Sequence, residues 1–372
     1  MRLYVGCYAN DPETLTAAMK GAKGDPRVRI VVNDRPGPTT KADCLNRIYA
    51  ALCHDEDRTR TRFGSIVLHD AEDFVHPAAL ALIDRHLRSA AFVQLPVRPE
   101  PQAASLWVAG HYGDEFAEAH AKSMVVRNAI GAAIPAAGVG CGFSRDLLAA
   151  LARERTGRTD GEPFAAECLT EDYELGLLVS RSGGSSRFLR VRDHLGELVA
   201  TRAYFPGTLD AAVRQKARWI HGIALQGWDR LGWFGGPVDV WMALRDRRGL
   251  LTAVVLASAY LLIVIEAILG IARLSGLQVG QPLSPLLSTM LAVSFAAFVW
   301  RAFWRFGFTA SEYGLAEGFL AILRIPVANV IAIMAGRRAL VAYARSLYGA
   351  APGWDKTAHS LHPALEAKGK AA

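Results

Sequence analysis

Residues 65–73 read SIVLHDAED, an apolar run that passes directly into a cluster of acids. A short apolar run of this kind is typical of a buried strand, and acids at the end of such a strand are held in one fixed place. Considered alone, the cluster is equally consistent with a solvated acidic turn, because His76 and Pro77 follow it closely. The buried strand in front of the acids favours a functional site over a turn.

Strand and helix signals alternate on both sides of this stretch. A capping residue, a first-turn proline and an acid at residues 10–13 predict a helix after the first strand. Alternation of this kind predicts an α/β domain with a mostly parallel sheet and helices on both of its faces. The predicted strands are residues 2–8, 28–33, 65–69 and 92–97.

The carboxyl ends of these strands are the expected place for a ligand, because ligands of open α/β sheets gather there. Asp11, Asp34 and Asp70 each lie just past a predicted strand end. Residues 6–10, which follow the first strand, lack the GxGxxG pattern that a dinucleotide pyrophosphate needs. A dinucleotide-dependent oxidoreductase is therefore not expected.

Composition indicates one soluble domain followed by a membrane part, since 51% of the 372 residues are apolar, more than the soluble average. Residues 1–249 carry 32 basic against 30 acidic side chains, whereas the remaining 123 carry 10 against 5. A basic surplus in an apolar region is typical of cytoplasmic membrane flanks. Without a basic stripe interleaved with aromatics, it argues against nucleic-acid binding.

Five cysteines are scattered without CxxC spacing, so neither a disulfide framework nor a zinc site is predicted. They are Cys7, Cys44, Cys53, Cys141 and Cys168. The first strand begins at residue 2, and no charged segment followed by a long apolar one precedes it as in a signal peptide. We therefore expect reduced thiols and a soluble domain in the cytoplasm, attached to the inner membrane.

Two apolar segments, residues 250–272 and 285–303, supply the roughly 20 residues that a membrane span needs. Arginines precede the first and close the second, whereas the loop between them has a single charge, so the loop is expected to face outward. A third stretch, residues 318–335, is interrupted by Arg324 and Pro326. That interruption favours a helix in the membrane interface over a third span.

Three polar elements in chain order, followed by a membrane segment, favour transfer of a sugar from a nucleotide diphosphate. Displacing the diphosphate builds negative charge on its oxygens, so the site must supply a cation. Hard divalent ions such as Mg²⁺ or Mn²⁺ prefer carboxylate oxygens, and Asp70, Glu72 and Asp73 are the candidate metal ligands. The three elements are residues 70–73, 170–172 and 215–219.

The second element, Thr170-Glu171-Asp172, contains the candidate base. The acceptor hydroxyl must lose its proton as it attacks, and the carboxylate of Asp172 can take it. The structural alternative is a helix start with Thr170 as the cap and both acids in the first turn. The two interpretations are compatible, because a helix amino terminus keeps a carboxylate ionised.

The third element, QKARW at residues 215–219, lies on a predicted helix over residues 209–226. Gln215 and Trp219 are four residues apart and share one face. Arg218 offers a forked cation for a diphosphate, and Trp219 offers a flat surface on which a sugar can stack. The alternative is that these side chains are ordinary core or surface residues. Lys41 either reaches the nucleotide or caps a turn.

These residues resemble the inverting family 2 glycosyltransferases with a GT-A fold, and most closely the membrane-bound branch that includes phage adsorption protein B. The resemblance covers nearly the whole chain. The sequences that carry it are YANDP at 8–12, GPTTKADCLN at 37–46, HDAED at 69–73, GVGCGFS at 138–144, LTEDY at 169–173, QKARW at 215–219 and WDKTAH at 354–359.

The resemblance implies a role for each candidate site residue. Asp172 would be the base, and the nucleotide-sugar would be bound by Asp11, near its uridine, and by Lys41, Asp70 and Arg218. Asp70 with Glu72 or Asp73 would replace the family's Asp-x-Asp at the metal. Glu171, Gln215 and Trp219 would face the acceptor. The glycines at 138–142 would let the backbone approach the acceptor, or would simply form a turn before a helix.

Five segments are expected: a GT-A domain at 1–235 that starts at the family's second strand, an interfacial helix at 236–249, two transmembrane helices at 250–306, an interfacial or third membrane segment at 307–345, and a polar tail at 346–372. The main hypothesis is transfer from a UDP-sugar to a saccharide or lipid-linked acceptor, with additional membrane subunits or a homo-oligomer as partners. The alternative, suggested by the absent first strand, is a non-catalytic envelope scaffold or receptor subunit.

Overall fold

The computed structural model describes residues 1–276 and 283–349. The predicted motif at 354–359 and the tail beyond residue 349 lie outside these residues. The described strands are β1 Leu3–Tyr8, β2 Val28–Asn33, β3 Ser65–Leu68, β4 Phe74–Val75, β5 Phe92–Gln94, β6 Val97–Pro99, β7 Cys141–Ser144, β8 Ser186–Phe188 and β9 Thr201–Ala203. All four predicted strands are present, and the fourth is divided into β5 and β6.

Helices connect and follow these strands. Those of the α/β part are α1 Pro12–Ala22, α2 Lys41–Thr59, α3 Ala79–Leu87, α4 Val108–Glu118, α5 Met124–Ala129, α6 Arg145–Thr156, α7 Glu171–Arg181, α8 Leu209–Ile220 and α9 Gly227–Leu231. Short π-helical segments, Ala119–Ser123 and His221–Gln226, join α4 to α5 and α8 to α9. The later helices are α10 Pro237–Arg247, α11 Gly249–Leu274, α12 Pro285–Tyr313, α13 Leu315–Leu323 and α14 Ile325–Leu347.

The strands pair in three groups, β1-β2, β3-β7-β5-β8 and β4-β9-β6. Among the described strands the pairs β1–β2, β5–β8 and β6–β9 are parallel, whereas β3–β7, β5–β7 and β4–β9 are antiparallel. Strand pairing is thus mixed. Three of the six described strand pairs are parallel and three are antiparallel, whereas mostly parallel pairing was predicted. β7 lies between β3 and β5 and is antiparallel to both.

Polar contacts near both ends of α2 hold this helix in position. Thr40 and Asp43 form a capping box, which satisfies free backbone N–H groups at the start of the helix. Further along α2, Glu56 forms a buried ion pair with Arg145 of α6 at 2.8 Å. The capping box sets where α2 begins and therefore the position of its first residue, Lys41, while the ion pair holds the far end of the helix against α6.

Three helices are long and apolar enough to cross a membrane: α11, α12 and α14. The first two contain the predicted spans. The third predicted apolar segment, residues 318–335, contains the boundary between α13 and α14 at Arg324. The Arg324 side chain is 1% exposed and pairs with Asp114 of α4 at 2.6 Å. The charge that interrupts this apolar stretch is therefore neutralised inside the protein.

The third apolar helix also packs directly on the α/β domain. Ala335 and Ala339 of α14 are buried against Ala217 of α8. On another side, Gly336 meets Ala253 of α11, where an added Cβ would lie 2.4 Å from the Ala253 Cβ. The α14 helix thus joins the helix that carries QKARW to the first apolar helix, and its assignment as an interfacial or membrane segment stays a prediction.

Candidate active site

The candidate base lies at the start of α7. The helix begins at Glu171, with Thr170 in the capping position, as the structural alternative predicts. The Thr170 hydroxyl, however, makes no capping hydrogen bond. Asp172 instead accepts a hydrogen bond from the Tyr173 backbone N–H through Oδ1 at 2.8 Å, which holds the carboxylate against the helix end.

Lys41 links three distant parts of the chain at this point. Its ammonium forms an ion pair with Asp70 and donates to the Gly138 carbonyl at 3.1 Å. Lys41 and Gly138 line a small pocket, and Glu171 and Asp172 line the same pocket. The predicted nucleotide contact, metal ligand and base thus lie together in the fold. The hydrogen bond to Gly138 agrees with the alternative in which Lys41 caps a turn, and its contact with a nucleotide stays a prediction.

The glycine-rich turn lies against the base. Gly138 has φ +74°, and a Cβ on it would lie 2.6 Å from Asp172 Oδ2 and 3.2 Å from Lys41 Nζ. Only a residue without a side chain allows this approach and this backbone conformation together. Buried Gln94 holds the turn, accepting from the Ala137 N–H at 2.8 Å and donating to the Val139 carbonyl at 2.9 Å.

Gly138→Ala is expected to abolish most transfer activity, because the new methyl group must displace the Asp172 carboxylate. Gly131→Ala is the matched control: Gly131 also has a positive φ, +68°, but a Cβ there meets nothing within 4 Å. Both variants carry the backbone cost, so thermal unfolding should fall by a similar amount in each. Activity assays at matched concentrations of folded protein should show a deficit in Gly138→Ala alone, and equal activities would contradict the assignment.

The two acids of α7 titrate as a pair. Burial first, and then the charge of Asp172, raise the pKa of Glu171 to about 8. Burial also raises the pKa of Asp172, while the positive charge of Lys41 opposes this rise. The pKa of both acids is therefore raised in this structure, and the charge on one carboxylate opposes ionisation of the other.

Lys41 stays charged beside these acids. Burial disfavours its ammonium form, but the negative charges of Asp70, Glu171 and Asp172 outweigh burial and raise the pKa of Lys41. A permanently charged ammonium in a narrow cleft is suited to neutralising a diphosphate oxygen.

Glu171→Gln is expected to move the acidic limb of the pH–rate profile to lower pH. Removing a neighbouring carboxylate removes like-charge repulsion, so the pKa of Asp172 falls and the base stays ionised at lower pH. The measurement is kcat against pH for the variant and the parent. A limb that stays in place, or that moves to higher pH, would show that the two acids do not share a proton.

The predicted metal ligands do not form one group. Asp73 is used locally, because its Oδ2 accepts from the Asp70 backbone N–H at 2.9 Å and lies 3.1 Å from His69 Nδ1. Asp70 is partly exposed and Glu72 is half-buried. Across residues 1–276 and 283–349, no three Asp, Glu, His or Cys side chains are arranged to hold an ion. Mg²⁺ commonly takes only one or two carboxylates plus phosphate, so an ion held by Asp70 and Glu72 together with a diphosphate stays a prediction.

The QKARW residues have different environments on α8. Arg218 is near enough to Glu171 and Asp172 for its positive charge to oppose the rise in their pKa values. Gln215 is 8% exposed, and its Oε1 has no hydrogen-bond partner among the described residues. Trp219 packs edge-on against buried Tyr112, with ring centroids 6.1 Å apart. The Trp219 ring is therefore part of an apolar cluster between α4, α8 and α14.

Asp11 has a structural task at the carboxyl end of β1. Its Oδ1 accepts from the Thr14 N–H at 3.1 Å and its Oδ2 from the Thr14 hydroxyl at 2.8 Å, so it caps α1. Its predicted contact with the uridine stays a prediction. Sequence reasoning missed Gln94, although a glutamine that ends an apolar run was a usable signal.

Apolar helices joined to an α/β domain in which acids and a lysine converge are typical of membrane-attached glycosyltransferases. The family model described as "Glycosyl transferase family group 2" matches residues 65–305. The chain belongs to this family. This membership, the mixed sheet and the three apolar helices confirm the predicted fold class, an α/β GT-A domain with membrane helices after it.

Two curated relatives are similar over 96% of the chain at 34% identity: "Bacteriophage adsorption protein B" of Escherichia coli strain K12 and "Bacteriophage N4 adsorption protein B" of Escherichia coli O157:H7. The chain spans about half the length of these relatives (50%). A solved structure, "Mannosyltransferase PcManGT from Pyrobaculum calidifontis in complex with GDP-Man and Mn2+", matches with a TM-score of 0.48 and 17% identity, over 88% of this chain and 77% of that one.

Proposed function

We propose that the chain transfers a sugar from a UDP-sugar to a saccharide or lipid-linked acceptor, with inversion, at the cytoplasmic face of the inner membrane. The observation that carries this proposal is the convergence of Lys41, Asp70, Gly138 and Asp172 in one cleft. These residues come from the start of α2, the end of β3, the turn before β7 and the start of α7. No local structural need brings four such segments together.

In the proposed reaction, the acceptor oxygen attacks the anomeric carbon as its proton passes to Asp172. The bond from that carbon to the diphosphate oxygen breaks, and the diphosphate leaves with the bonding electrons. Lys41 and Arg218 stabilise the negative charge that develops there. When bound, Mg²⁺ or Mn²⁺ would add charge stabilisation at the diphosphate, held by Asp70 and Glu72. Glu171, Gln215 and Trp219 are proposed on the acceptor side, with Trp219 shaping the wall through its packing.

Membrane partners follow from the surface of the apolar helices. The most apolar 18-residue windows of α11 and α12 bury none of their residues inside the protein. Lipid, additional membrane subunits or a second copy of the chain would cover them. This surface supports attachment of the catalytic cleft close to a bilayer, where a lipid-linked acceptor is available.

The test is release of UDP by the purified chain in detergent or nanodiscs, over a panel of UDP-sugars with Mg²⁺ or Mn²⁺. Release that depends on the sugar nucleotide and on Asp172 supports the proposal. The name of the curated relatives, adsorption protein B, favours a second candidate, a non-catalytic scaffold or receptor subunit. Titration of UDP-sugar and divalent ion separates the two, because a scaffold needs to bind neither.

A further inference from the structure

The helix that carries the candidate base is tied to the helix that leads into the membrane. The Tyr173 hydroxyl donates to Asp246 Oδ2 on α10 at 2.8 Å. The Arg127 guanidinium donates two hydrogen bonds to the same carboxylate, to Oδ1 at 3.1 Å and to Oδ2 at 2.8 Å. Tyr173 and Arg127 are both 6% exposed, so this is a connected and largely buried polar link.

One end of this link adjoins the candidate base, and the other end adjoins the first apolar helix. Tyr173 follows Asp172 directly, and its backbone N–H holds the Asp172 carboxylate. Asp246 lies in the last turn of α10, and the first apolar helix begins three residues later at Gly249. A displacement of α10 would therefore be transmitted to the backbone that orients the base.

The outward side of α10 is built for a lipid surface. Val238, Trp241 and Leu244 recur every three residues and are exposed, with Trp241 58% accessible. Met242 and Arg247 are buried, so the helix has an apolar outer side and an inner side that packs on the domain. Exposed aromatic and aliphatic side chains next to a candidate span are typical of a helix seated in the membrane interface.

A separate contact keeps α7 in place without this link. Arg230 of α9 forms a two-pronged ion pair with Glu174, at 2.7 and 2.8 Å. Removing the Tyr173 hydroxyl therefore leaves α7 anchored, and its effect on orientation is separable from an effect on folding.

We propose that Asp246 is a positioning residue that couples the seating of α10 on a lipid surface to the orientation of the base Asp172. The catalytic role of Asp172 in this statement rests on the proposed function. The link makes transfer dependent on a bilayer: an enzyme whose α10 is not seated holds its base in a less productive orientation. Small displacements of this kind lower kcat more than donor binding, because the Lys41 side of the cleft is not involved.

The experiment compares wild type, Tyr173→Phe and Asp246→Asn in nanodiscs and in short-chain detergent. Wild type is expected to show a higher kcat in nanodiscs. Both variants are expected to lose about ten- to a hundredfold in kcat with little change in donor KM, and to lose the difference between the two media. Tyr343→Phe is the matched control: the Tyr343 hydroxyl also donates to an aspartate, Asp229 on α9, at 2.8 Å, but neither residue belongs to the Tyr173–Asp246–Arg127 link.

Hydrogen exchange of residues 171–181 gives a readout that does not need turnover. Wild type and Tyr343→Phe should exchange more slowly in nanodiscs than in detergent, whereas Tyr173→Phe should not. Equal exchange of wild type in both media, or a Tyr173→Phe variant with wild-type kcat and lipid response, would overturn the coupling. If wild type slows its exchange in nanodiscs yet turns over no UDP-sugar, the proposed reaction fails while the mechanical link stands.

Discussion

Asp172→Asn is expected to lower kcat for sugar transfer by about 10²–10⁴-fold, the usual contribution of a general base. Asparagine has nearly the same shape and still accepts the hydrogen bond from the Tyr173 N–H, so the start of α7 should be preserved. It cannot take the acceptor proton. Donor affinity should change little, because the contacts of Lys41 with Asp70 and the Gly138 carbonyl remain.

Steady-state kinetics with a UDP-sugar and a separate donor titration measure this effect. Asp146→Asn is the matched control, since Asp146 is also an acid in the first turn of a helix, α6, but is exposed and pairs with Arg62. The control should keep parental activity. An Asp172→Asn enzyme as active as the parent would remove Asp172 from the role of base.

Lys41→Met is expected to lower kcat/KM for the donor by about 10²–10³-fold, as loss of one preorganised charge at a transition state does. Methionine keeps much of the apolar stem and removes the ammonium. Glu171 and Asp172 then lose the positive charge that opposes the rise in their pKa values. Their pKa values rise further, and the acidic limb of the pH–rate profile moves to higher pH, opposite to the Glu171→Gln result.

Lys41→Arg retains the charge and should recover part of the lost kcat/KM. Lys20→Met serves as the control, because Lys20 lies in the last turn of α1 and is exposed. Calorimetric titration of UDP-sugar reports the affinity, and the pH profile reports the carboxylates. Unchanged donor affinity and an unmoved pH limb in Lys41→Met would show that the ammonium does not face the diphosphate.

The convergence of Lys41, Asp70 and Asp172 could be predicted from sequence because each follows a local rule. Asp70 ends a buried apolar strand, Lys41 follows a helix cap, and Asp172 stands in the first turn of a helix. These rules place side chains at one edge of an α/β sheet without knowledge of distant packing. The three residues are the part of the site that sequence patterns describe well.

The remaining features depend on partners far away in the chain. The sequence does not show that Asp73 contacts His69 and the Asp70 backbone N–H, and its role at a metal stays a prediction. It also does not show that α4 and α14 pack against Trp219, or that Tyr173 meets Asp246 across 73 residues. Antiparallel β7 was missed for the same reason, since its partners β3 and β5 lie about 50 to 75 residues earlier in the chain.

The most direct test of the shared cleft is a structure of the full chain with a bound UDP-sugar. The diphosphate is expected within hydrogen-bonding distance, about 2.7–3.2 Å, of Lys41 Nζ. The sugar is expected to lie between it and the Asp172 carboxylate, so that an acceptor oxygen can contact both the anomeric carbon and Asp172. A nucleotide bound elsewhere, or a sugar separated from Asp172 by the protein wall, would contradict the account.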